Sequence, residues 1–584
     1  MNVVLRALAA LVLASLFGCV NGGCVNGGQT PISHMAENRG LSPNKQWDDF
    51  VEAFITETFV ARPTAGTNAG RHEFDGRISD WSAEGMRNEV ARLHLARDRV
   101  RGFEAAALTP AQKFERQYIL DTIERDLFWE ETMRWKLHNP GAYGWQLDPN
   151  VYISREYAPL PERMRAYIRY ARNIPRATQQ IRANLQGPLP RTYVQLGHII
   201  FGGLGRFYAN DVPGVFKPVN DAALQAEFRE ANALAIDAMK SLDAHFTSLE
   251  ATADDGFPMG AARFAEMLWT TERVDVPLAR LKEIGERDME RNLAALRQAC
   301  ARYAPGASLK DCTQRAKAEK YREGPVAAAT KQLGELRAFL VARKVVTIPS
   351  PEQAGVAESP PYQRWNAAYI NIPGPYETNL PSTYYIAPPD PAWTPKEQND
   401  YVPGKTDLLF ISVHEVWPGH FLQSLHAKRA HSKLGRVFTS YAFAEGWAHY
   451  TEEMMYEMGL GDGDPATHVG QLLNALLRNA RYLSAIGLHT GGMTVAQSEA
   501  LFRDKAFQDA GNSRQQAARG TFDPGYGNYT LGKLMIRKLR DDWTANRGGR
   551  AAWQSFHDEF LAHGSPPIPV IRQVMLGPDA GPPL

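Results

Sequence analysis

The spacing of apolar residues constrains this fold more than any other feature of the sequence. From about residue 45 to residue 344, apolar side chains recur three and four positions apart, with Pro and Gly between the runs. Such spacing lines one face of an α-helix with groups that must be buried. Thr109 and Pro110 indicate the start of one helix, with Thr109 as its N-cap and Pro110 as its first residue. Further helices are predicted over residues 160–185, 222–249, 276–302 and 324–342. The pattern therefore favours a mainly α fold.

The pattern changes between residues 345 and 407, where β-branched and aromatic residues are broken up by prolines. Residues 367–372 and 383–386 are candidate strands, which predict a small sheet. Helical spacing then returns, over residues 414–433, 440–458, 469–489, 495–507 and 524–545. The chain thus divides into a helical N-terminal region, residues 45–344, and a C-terminal region, residues 345–584. The motifs richest in histidine and carboxylate lie in the second region.

The charge balance narrows the class of partner. The 584 residues include 65 Lys and Arg against 64 Asp and Glu, which leaves a net charge of +1. A chain that is 44% hydrophobic is ordinary globular protein and not a long disordered one. Because it has no overall field that would attract a polyanion, nucleic acid is not an expected partner.

The N-terminus has the organisation of an export signal. Arg6 precedes an apolar run over residues 7–17, and Gly18 stands directly before Cys19. A run of about 11 residues is too short for a transmembrane helix, which needs about 20. Residues 16–19, Leu-Phe-Gly-Cys, resemble the lipobox of bacterial lipoproteins, in which the cysteine is lipidated and becomes the mature N-terminus.

We therefore expect a lipoprotein signal peptide over residues 1–18, lipidation at Cys19 and a location on the periplasmic side of the membrane. The alternative is a plain secretory signal, which would release a soluble periplasmic or secreted protein. The tandem Cys-Val-Asn-Gly-Gly repeat that follows is too rich in Gly and Asn to pack a core. Residues 19–44 are therefore predicted to be a flexible tether. In an exported protein Cys300 and Cys312 could form a disulfide, although two buried thiols fit equally.

The candidate chemistry centres on residues 414–420, which read His-Glu-Val-Trp-Pro-Gly-His. A catalytic zinc takes three protein ligands and leaves one position open. In the standard H-E-x-x-H helix the two His lie four apart on one face. Here His414 and His420 are six apart, so on a regular helix they would point about 120° away from each other. They can share a metal only if the helix is broken, and Pro418 and Gly419 supply that break.

Glu415 is the candidate general base and Glu445 the candidate third ligand. A Glu beside the first metal ligand is the usual base. Glu445 follows His420 by 25 residues, a gap that suits a helix, a turn and a returning helix. Gly446 beside it would let the two ligand helices approach closely. The spacing leaves other ligands open; the competing residues are His449, His426, Glu452 and Glu453.

An acyl-transfer site also needs a hydrogen-bond donor aimed at the oxyanion that forms. Tyr526 and Tyr529 lie near the start of a predicted helix, so one can project into a cleft while the other packs. His489 lies at a helix end, and Arg519 precedes a Pro-Gly-Tyr segment. Each of the four can also be a packing or capping residue, and the choice among them stays open.

Taken together, these motifs resemble the bacterial family catalogued as domain of unknown function 885, over almost all of the mature chain. Its opening pattern matches residues 63–75. Its central and C-terminal blocks match residues 414–420, 445–448, 487–489 and 524–532.

The resemblance implies a large, mainly α-helical fold similar to zinc metallopeptidases of the carboxypeptidase Taq and oligopeptidase (gluzincin) type. Such a fold has a deep channel between two helical halves, with the small sheet next to the active-site helix. The N-terminal region would form a channel wall and the C-terminal region would be catalytic. The resemblance also implies His414, His420 and Glu445 as ligands of one zinc ion and Glu415 as the base.

The expected function is zinc-dependent hydrolysis of short peptides by an activated water and a Glu base. A strand near residues 367–372 would hold the substrate backbone by edge pairing. Manganese or cobalt also suits a His/His/Glu set. One alternative is a metal-dependent hydrolase or lyase acting on a non-peptide amide. Another is a surface binding lipoprotein with a structural or vestigial metal site. The sequence predicts no oligomeric state.

Overall fold

Helices form most of the chain in the computed structural model, which describes residues 42–360, 364 and 367–584. The predicted signal peptide, Cys19 and the tether up to residue 41 lie outside the described residues. The helices of the first part are α1 (Pro43–Ala61), α2 (Pro63–Ala69), α3 (Ala83–Gly102), α4 (Pro110–Leu127), α5 (Gly141–Gly144), α6 (Asn150–Ser154), α7 (Leu160–Asn184), α8 (Arg191–Gly197), α9 (Gly203–Asn210), α10 (Val212–Phe216), α11 (Ala222–Leu249), α12 (Ala261–Glu272), α13 (Leu278–Tyr303), α14 (Leu309–Ala318) and α15 (Pro325–Arg343). The mainly α fold is confirmed.

A second group of helices follows the sheet. They are α16 (Pro395–Tyr401), α17 (Lys405–Glu415), α18 (His420–Ala427), α19 (Leu434–Val437), α20 (Tyr441–Glu457), α21 (Pro465–Thr490), α22 (Val495–Lys505), α23 (Ala510–Phe522), α24 (Asn528–Thr544), α25 (Trp553–Ala562) and α26 (Ile568–Leu576).

Helices begin close to their predicted starts where the sequence supplies a cap. The Thr109 hydroxyl accepts a hydrogen bond from the Gln112 backbone N–H, and the Gln112 side chain accepts one from the Thr109 N–H. This capping box starts α4 at Pro110, as predicted. The Asp221 side chain caps α11, whose bounds are those predicted.

The small sheet has three strands, β1 (Ala354–Glu358), β2 (Ala368–Asn371) and β3 (Ser382–Ile386). The order is β1-β3-β2, with β1 parallel and β2 antiparallel to β3. β2 and β3 confirm the two predicted strands, whereas β1 was not predicted. The backbone N–H of Ile370 in β2 donates to the Glu415 carboxylate at the end of α17. The small sheet therefore lies beside the helix that carries His414, as expected.

The helix predicted over residues 414–433 is wrong at both ends. The apolar run before His414 already belongs to a helix, α17. Its residues Leu408, Phe410 and Val413 are buried. α17 ends at Glu415, and α18 begins only at His420 and ends at Ala427. α23 was not predicted, since its sequence contains few apolar residues whose spacing could reveal it.

Three apolar cores hold the helices together. One lies within residues 78–249, a second joins residues 47–127 with Leu434 and Phe438, and a third joins residues 264–575 with Phe128. Leu434 and Phe438 belong to the second core, so the first helices pack directly beside the segment after α18. α12 to α15, assigned above to the N-terminal region, share the third core with the C-terminal helices. Where α13 meets α21, Gly285 lies against the ring of Tyr482.

Cys300 and Cys312 form a disulfide. Of the two alternatives that the spacing left open, the structure thus has the bonded pair. The bond joins the end of α13 to α14 inside the third core. Among the described residues, no helix is both long enough and apolar enough to cross a membrane.

Candidate metal centre

The break between α17 and α18 brings His414 and His420 together. His414 lies in the last turn of α17 and His420 is the first residue of α18. Between them Gly419 approaches the chain so closely that a Cβ would lie 1.7 Å from the His414 carbonyl oxygen, so only glycine fits. The Trp447 indole N–H donates to the Pro418 carbonyl oxygen at 2.9 Å. This bond fixes the break against α20, which carries Glu445.

The three predicted ligands converge on one point. Oε2 of Glu445 lies 3.4 Å from Nε2 of His414 and 3.4 Å from Nε2 of His420. One donor atom from each residue lies within 4.8 Å of the others. Two ligand atoms about 2 Å from a shared tetrahedral ion stand roughly 3.3 Å apart. The three side chains thus have the spacing of ligands to one divalent ion.

Glu445 carries a buried atom that the protein leaves unsatisfied. Within the described part of the chain its Oε2 atom has no hydrogen-bond partner. A buried carboxylate oxygen without a partner is costly, so it calls for a ligand. Two imidazoles and a carboxylate are a donor set typical of catalytic zinc. His414, His420 and Glu445 are therefore the residues that could hold an ion.

Glu452 orients His414. Nδ1 of His414 donates to Oε1 of Glu452 at 2.8 Å, which leaves Nε2 directed at Glu445. On its other side Glu452 accepts from Nδ1 of His449 at 3.2 Å, and the Arg478 guanidinium lies 3.2 Å from Oε1. A carboxylate behind a ligating histidine fixes its tautomer and raises its basicity.

The competing ligands have other partners. His449 is fully buried and directed at Glu452. His426 bonds the Thr347 carbonyl oxygen at 2.9 Å, and Glu453 pairs with Arg291 on α13. The structure therefore brings together His414, His420 and Glu445, whereas the alternatives are held by other partners or, like Glu452, bond the far side of His414.

Glu415 lies between the ligands and the sheet. Its Oε2 accepts a hydrogen bond from the Ile370 N–H at 3.1 Å. Burial raises the pKa of the Glu415 carboxyl, against the opposing effects of His420 and His414. A carboxyl with a raised pKa is a better proton acceptor than an ordinary one.

The charges within the ligand set depend on one another. Burial alone would lower the pKa of His414, but the neighbouring carboxylates of Glu445 and Glu452 raise it to about 9. Burial would raise the pKa of the Glu445 carboxyl, yet His420 and His414 hold it well below its usual range. The carboxylate and imidazoles thus stabilise one another's charged forms.

Of the four predicted oxyanion donors, Tyr529 is beside the ligands. Its ring stacks on that of His414 with centroids 6.2 Å apart. Arg519 is one residue farther away: its guanidinium donates to the Tyr441 hydroxyl at 3.0 Å and pairs with Asp523 at 2.9 Å. The Tyr441 ring lies 6.0 Å from that of Tyr529. Tyr529 and Arg519 therefore belong to one wall next to the ligand set.

Tyr526 and His489 contact Gly520 of α23 and not the candidate ligands. Tyr526 is fully buried, and its hydroxyl packs against Gly520 of α23. Nε2 of His489 bonds the Gly520 carbonyl oxygen at 2.8 Å, and the ring stacks on Phe264. Burial lowers the pKa of His489 to about 4, which keeps the imidazole neutral. His489 thus joins α21 to α23, and Tyr526 packs on α23 from the turn before α24.

Gly446 also has a different role from the one expected. Instead of bringing the ligand helices together, it lets α20 meet α24. A Cβ on Gly446 would lie 2.5 Å from the Cα of Gly532, and one on Gly532 would lie 1.9 Å from the Ala442 carbonyl oxygen. This close crossing sets Glu445 on α20 beside Tyr529 on α24.

Sequence reasoning assigned no role to Tyr441 or Asp523 and considered Glu452 only as a rival ligand. For Tyr441 and Glu452 the sequence did contain a signal, which is their spacing from Glu445 along α20. Residues 441, 445 and 452 are separated by four and seven positions, so they lie on one helix face. Asp523 gave no such signal, because its contact with Tyr441 joins distant parts of the chain.

Residues 63–575 match the profile of a family described as bacterial proteins of unknown function, DUF885. The chain belongs to this family. The match includes all of the candidate site, and it confirms the resemblance seen in the sequence motifs. No functionally curated protein matches the chain.

Two solved structures share the DUF885 chain's fold. One, from Shewanella oneidensis and described as "a putative lipoprotein of unknown function", is 23% identical with a TM-score of 0.75. The match covers 91% of this chain and 99% of the Shewanella oneidensis chain. The other, described as "the putative lipoprotein from Colwellia psychrerythraea", is 17% identical with a TM-score of 0.76. That match covers 91% of this chain and 98% of the other.

Proposed function

We propose that this DUF885 protein is an exported, lipid-anchored metallopeptidase that cleaves short peptides with one zinc ion. One observation carries the proposal: the Nε2 atoms of two histidines converge on a buried Glu445 oxygen that lacks any other partner among the described residues. A separate carboxylate, Glu415, stands beside this set. A purely structural ion has no need of that fourth, non-ligating acid.

His414, His420 and Glu445 would hold the ion, with Glu452 orienting His414. When bound, zinc polarises a substrate carbonyl and lowers the pKa of a bound water. Glu415 accepts the proton of the attacking water at its carboxylate and passes it to the leaving amine. The Ile370 N–H holds one oxygen of Glu415, so the carboxylate cannot turn freely.

The position of Tyr529 supports a role in stabilising the oxyanion. Its ring lies against His414, and its neighbours include the Arg481 guanidinium, 4.9 Å from the ring centroid. A nearby cation polarises the phenol and strengthens its hydroxyl as a donor. Arg519 supports the wall behind it through Tyr441.

The position of β2 supports an extended peptide as the substrate. β2 is at the edge of the sheet, since β3 pairs with it on one side only. The Ile370 N–H faces away from β3, toward Glu415. A peptide lying along this edge would pass the general base with its backbone in register for pairing.

Export and anchoring are supported by three independent features. The lipobox-like residues 16–19 follow an apolar run, Cys300 and Cys312 are bonded, and both structural relatives are described as putative lipoproteins. Disulfides persist mainly in oxidising compartments such as the periplasm.

The test is metal analysis of the protein purified without chelators, followed by a panel of short peptides. We expect about one zinc per chain. His420→Ala should lose the metal, whereas His426→Gln, on the same helix but bonded to Thr347, should keep it. Glu415→Gln should keep the metal and lose at least a hundredfold in kcat.

Three results would contradict the proposal. Wild-type protein without metal would remove the basis of the chemistry. Glu415→Gln that cleaves peptides as fast as wild type would exclude Glu415 as the base. Zinc binding with no cleavage of any peptide would favour the non-peptide amide or the binding lipoprotein.

A further inference from the structure

An open cleft of about 440 Å³ lies beside the candidate metal centre, and tryptophans dominate its walls. Trp129, Trp135 and Trp145 line it, together with Asn139, Leu196, Phe522 and Asp523. Its volume is within the range of sites that bind small molecules or single side chains.

The indole rings of the cleft are more exposed to solvent than those of the tryptophans in the apolar cores. Trp47, Trp81, Trp417 and Trp447 are fully buried, whereas Trp145 is 52% exposed. Trp129 and Trp135 are half-buried, and their ring centroids lie 5.0 Å apart. Indole surface left open to solvent in a concave site is apolar area available for a ligand.

Irregular helical turns build two sides of the cleft. Phe128–Thr132 forms a π-helical turn, which places Trp129 on the wall. A second π-helical turn, His198–Gly202, follows α8, where Leu196 completes the opposite side. Single π-helical turns cost stability and recur at functional sites.

The cleft joins the N-terminal helices to the candidate metal centre. The Asn139 side chain donates to the Phe522 carbonyl oxygen at 2.9 Å. Asp523, the next residue, accepts from the Tyr441 hydroxyl at 3.2 Å. Tyr441 lies against Tyr529, whose ring stacks on His414. Asp523 of the cleft wall is thus linked to His414 through the side chains of Tyr441 and Tyr529.

The charges around the cleft indicate a neutral occupant. Asp523 is the acid among the lining residues, and it already pairs with Arg519. Lys136, next to Trp135 in the chain, pairs with Glu130. A cationic side chain would therefore compete with Arg519 for its carboxylate, whereas a neutral aromatic ring would only displace water from indole faces.

We propose that this cleft is a specificity subsite that receives a neutral aromatic side chain of the peptide substrate. The proposal rests on the proposed peptidase function and adds the kind of residue that the substrate carries. It predicts a preference for Phe or Tyr at one fixed position relative to the cleaved bond.

The test measures kcat/KM of the zinc-loaded full chain for two kinds of pentapeptide. One kind is a series in which a single Phe stands at each position of an alanine peptide in turn, and the other is Ala-Ala-Ala-Ala-Ala. We expect Trp145→Ala to lower kcat/KM about tenfold for the best Phe peptide and less than twofold for the all-alanine peptide. The matched control is Trp269→Ala, which removes an indole that is 47% exposed on α12 and should change neither. Leu196→Trp, which fills the cleft while keeping its aromatic walls, should act like Trp145→Ala.

Calorimetric titration of the Phe peptide into Glu415→Gln, with and without Trp145→Ala, separates this proposal from the peptidase proposal. A tenfold weaker Kd on loss of Trp145 supports the subsite even if wild type cleaves nothing. Equal effects of Trp145→Ala on both peptides, or none, overturn the subsite even if peptides are cleaved. A Lys peptide that binds with the same Kd as the Phe peptide would also overturn the subsite proposal.

Discussion

Glu452 is surrounded on every side by groups that donate to it. His414 and His449 each direct Nδ1 at one of its oxygens, and Arg478 adds a positive charge. These partners hold the pKa of the Glu452 carboxyl far below its usual range, despite a burial that opposes this. The residue contacts no substrate in the proposed reaction. It is a positioning residue that keeps Nε2 of His414 facing Glu445, where the proposed ion would be held.

Replacing Glu452 by Gln should weaken metal binding while leaving the ligands in place. The amide keeps the shape but loses the charge that supports His414, so we expect zinc affinity to fall about 10- to 100-fold. Competition with a chelating dye measures it. Glu457→Gln, on the same helix but paired with Arg540, is the control. Unchanged affinity in Glu452→Gln would show that the pair is structural.

The break at Gly419 allows a second test at the residue scale. Gly419→Ala must displace the chain near His414, because a Cβ would overlap its carbonyl oxygen. We expect a loss of about 3 kcal/mol or more in stability and of most zinc binding. Gly334→Ala is the matched control, since Gly334 is exposed within α15 with no atom within 4 Å of its Cβ position. It should stabilise the protein by about 0.5–1 kcal/mol. Thermal melts and metal content compare the two, and similar behaviour would contradict the role of Gly419.

At the scale of elements, the segment after α2 is clamped to the segment after β2. Nδ1 of His72 lies 3.1 Å from Asp75 and Nε2 lies 3.2 Å from Glu377, while the ring stacks on Tyr157 at 3.6 Å. The Arg155 guanidinium donates to the carbonyl oxygens of Asn68 and Ile372. These contacts join the family's opening motif to the strand that supports Glu415.

The clamp should make stability depend on pH. Burial would lower the pKa of His72, but hydrogen bonds with Asp75 and Glu377 raise it to about 9. Because the folded pKa is above the ordinary value of about 6.5, the contribution is complete below pH 6.5 and is lost as the pH rises through 9. We expect it to be about 1–2 kcal/mol, reduced by partial solvent exposure.

His72→Gln is the variant that checks this. The difference in melting temperature between wild type and His72→Gln should be largest near pH 6 and should shrink toward pH 9.5. A difference that stays constant over this range would show that His72 acts by packing on Tyr157 and not by its charge.

At the scale of the whole molecule, the N-terminal helices and the C-terminal region meet around the candidate centre. The second apolar core includes Leu434 and Phe438, and the Tyr118 hydroxyl donates to the Phe438 carbonyl oxygen. The Tyr193 hydroxyl donates to the Thr521 carbonyl oxygen at 2.9 Å near the aromatic cleft. The N-terminal region therefore supports the site from two directions, although the three candidate ligands of the described residues all lie outside it.

Anchoring should be separable from this folded unit. Cys19→Ala removes the predicted lipidation site, which precedes the described residues, so the protein should move from the membrane fraction to the soluble periplasmic fraction. Its zinc content and melting temperature should not change, because both depend on later residues. Cell fractionation measures the first effect. A variant that stays in the membrane fraction would contradict the lipoprotein prediction.

Much of the fold could be predicted from local sequence. Capping residues such as Thr109 and Asp221 act within one turn of the helices that they start, so α4 and α11 begin where the sequence indicates. The start of α17 was missed because the apolar residues before His414 gave no amphipathic spacing. Buried on most sides, they show the pattern of a core strand as much as that of a helix.

The sequence by itself determined the mainly α fold, the break at Pro418 and Gly419, and a short set of candidate ligands, since each depends on neighbouring residues. Only the tertiary structure showed that Glu445 lies beside both histidines, placed Tyr529 but not Tyr526 beside His414, and assembled the aromatic cleft. The physical reason is the separation along the chain between the residues that interact. Spacing along a helix sets which face a side chain occupies, but packing of distant helices, such as α20 against α24 through Gly446 and Gly532, sets what that face meets.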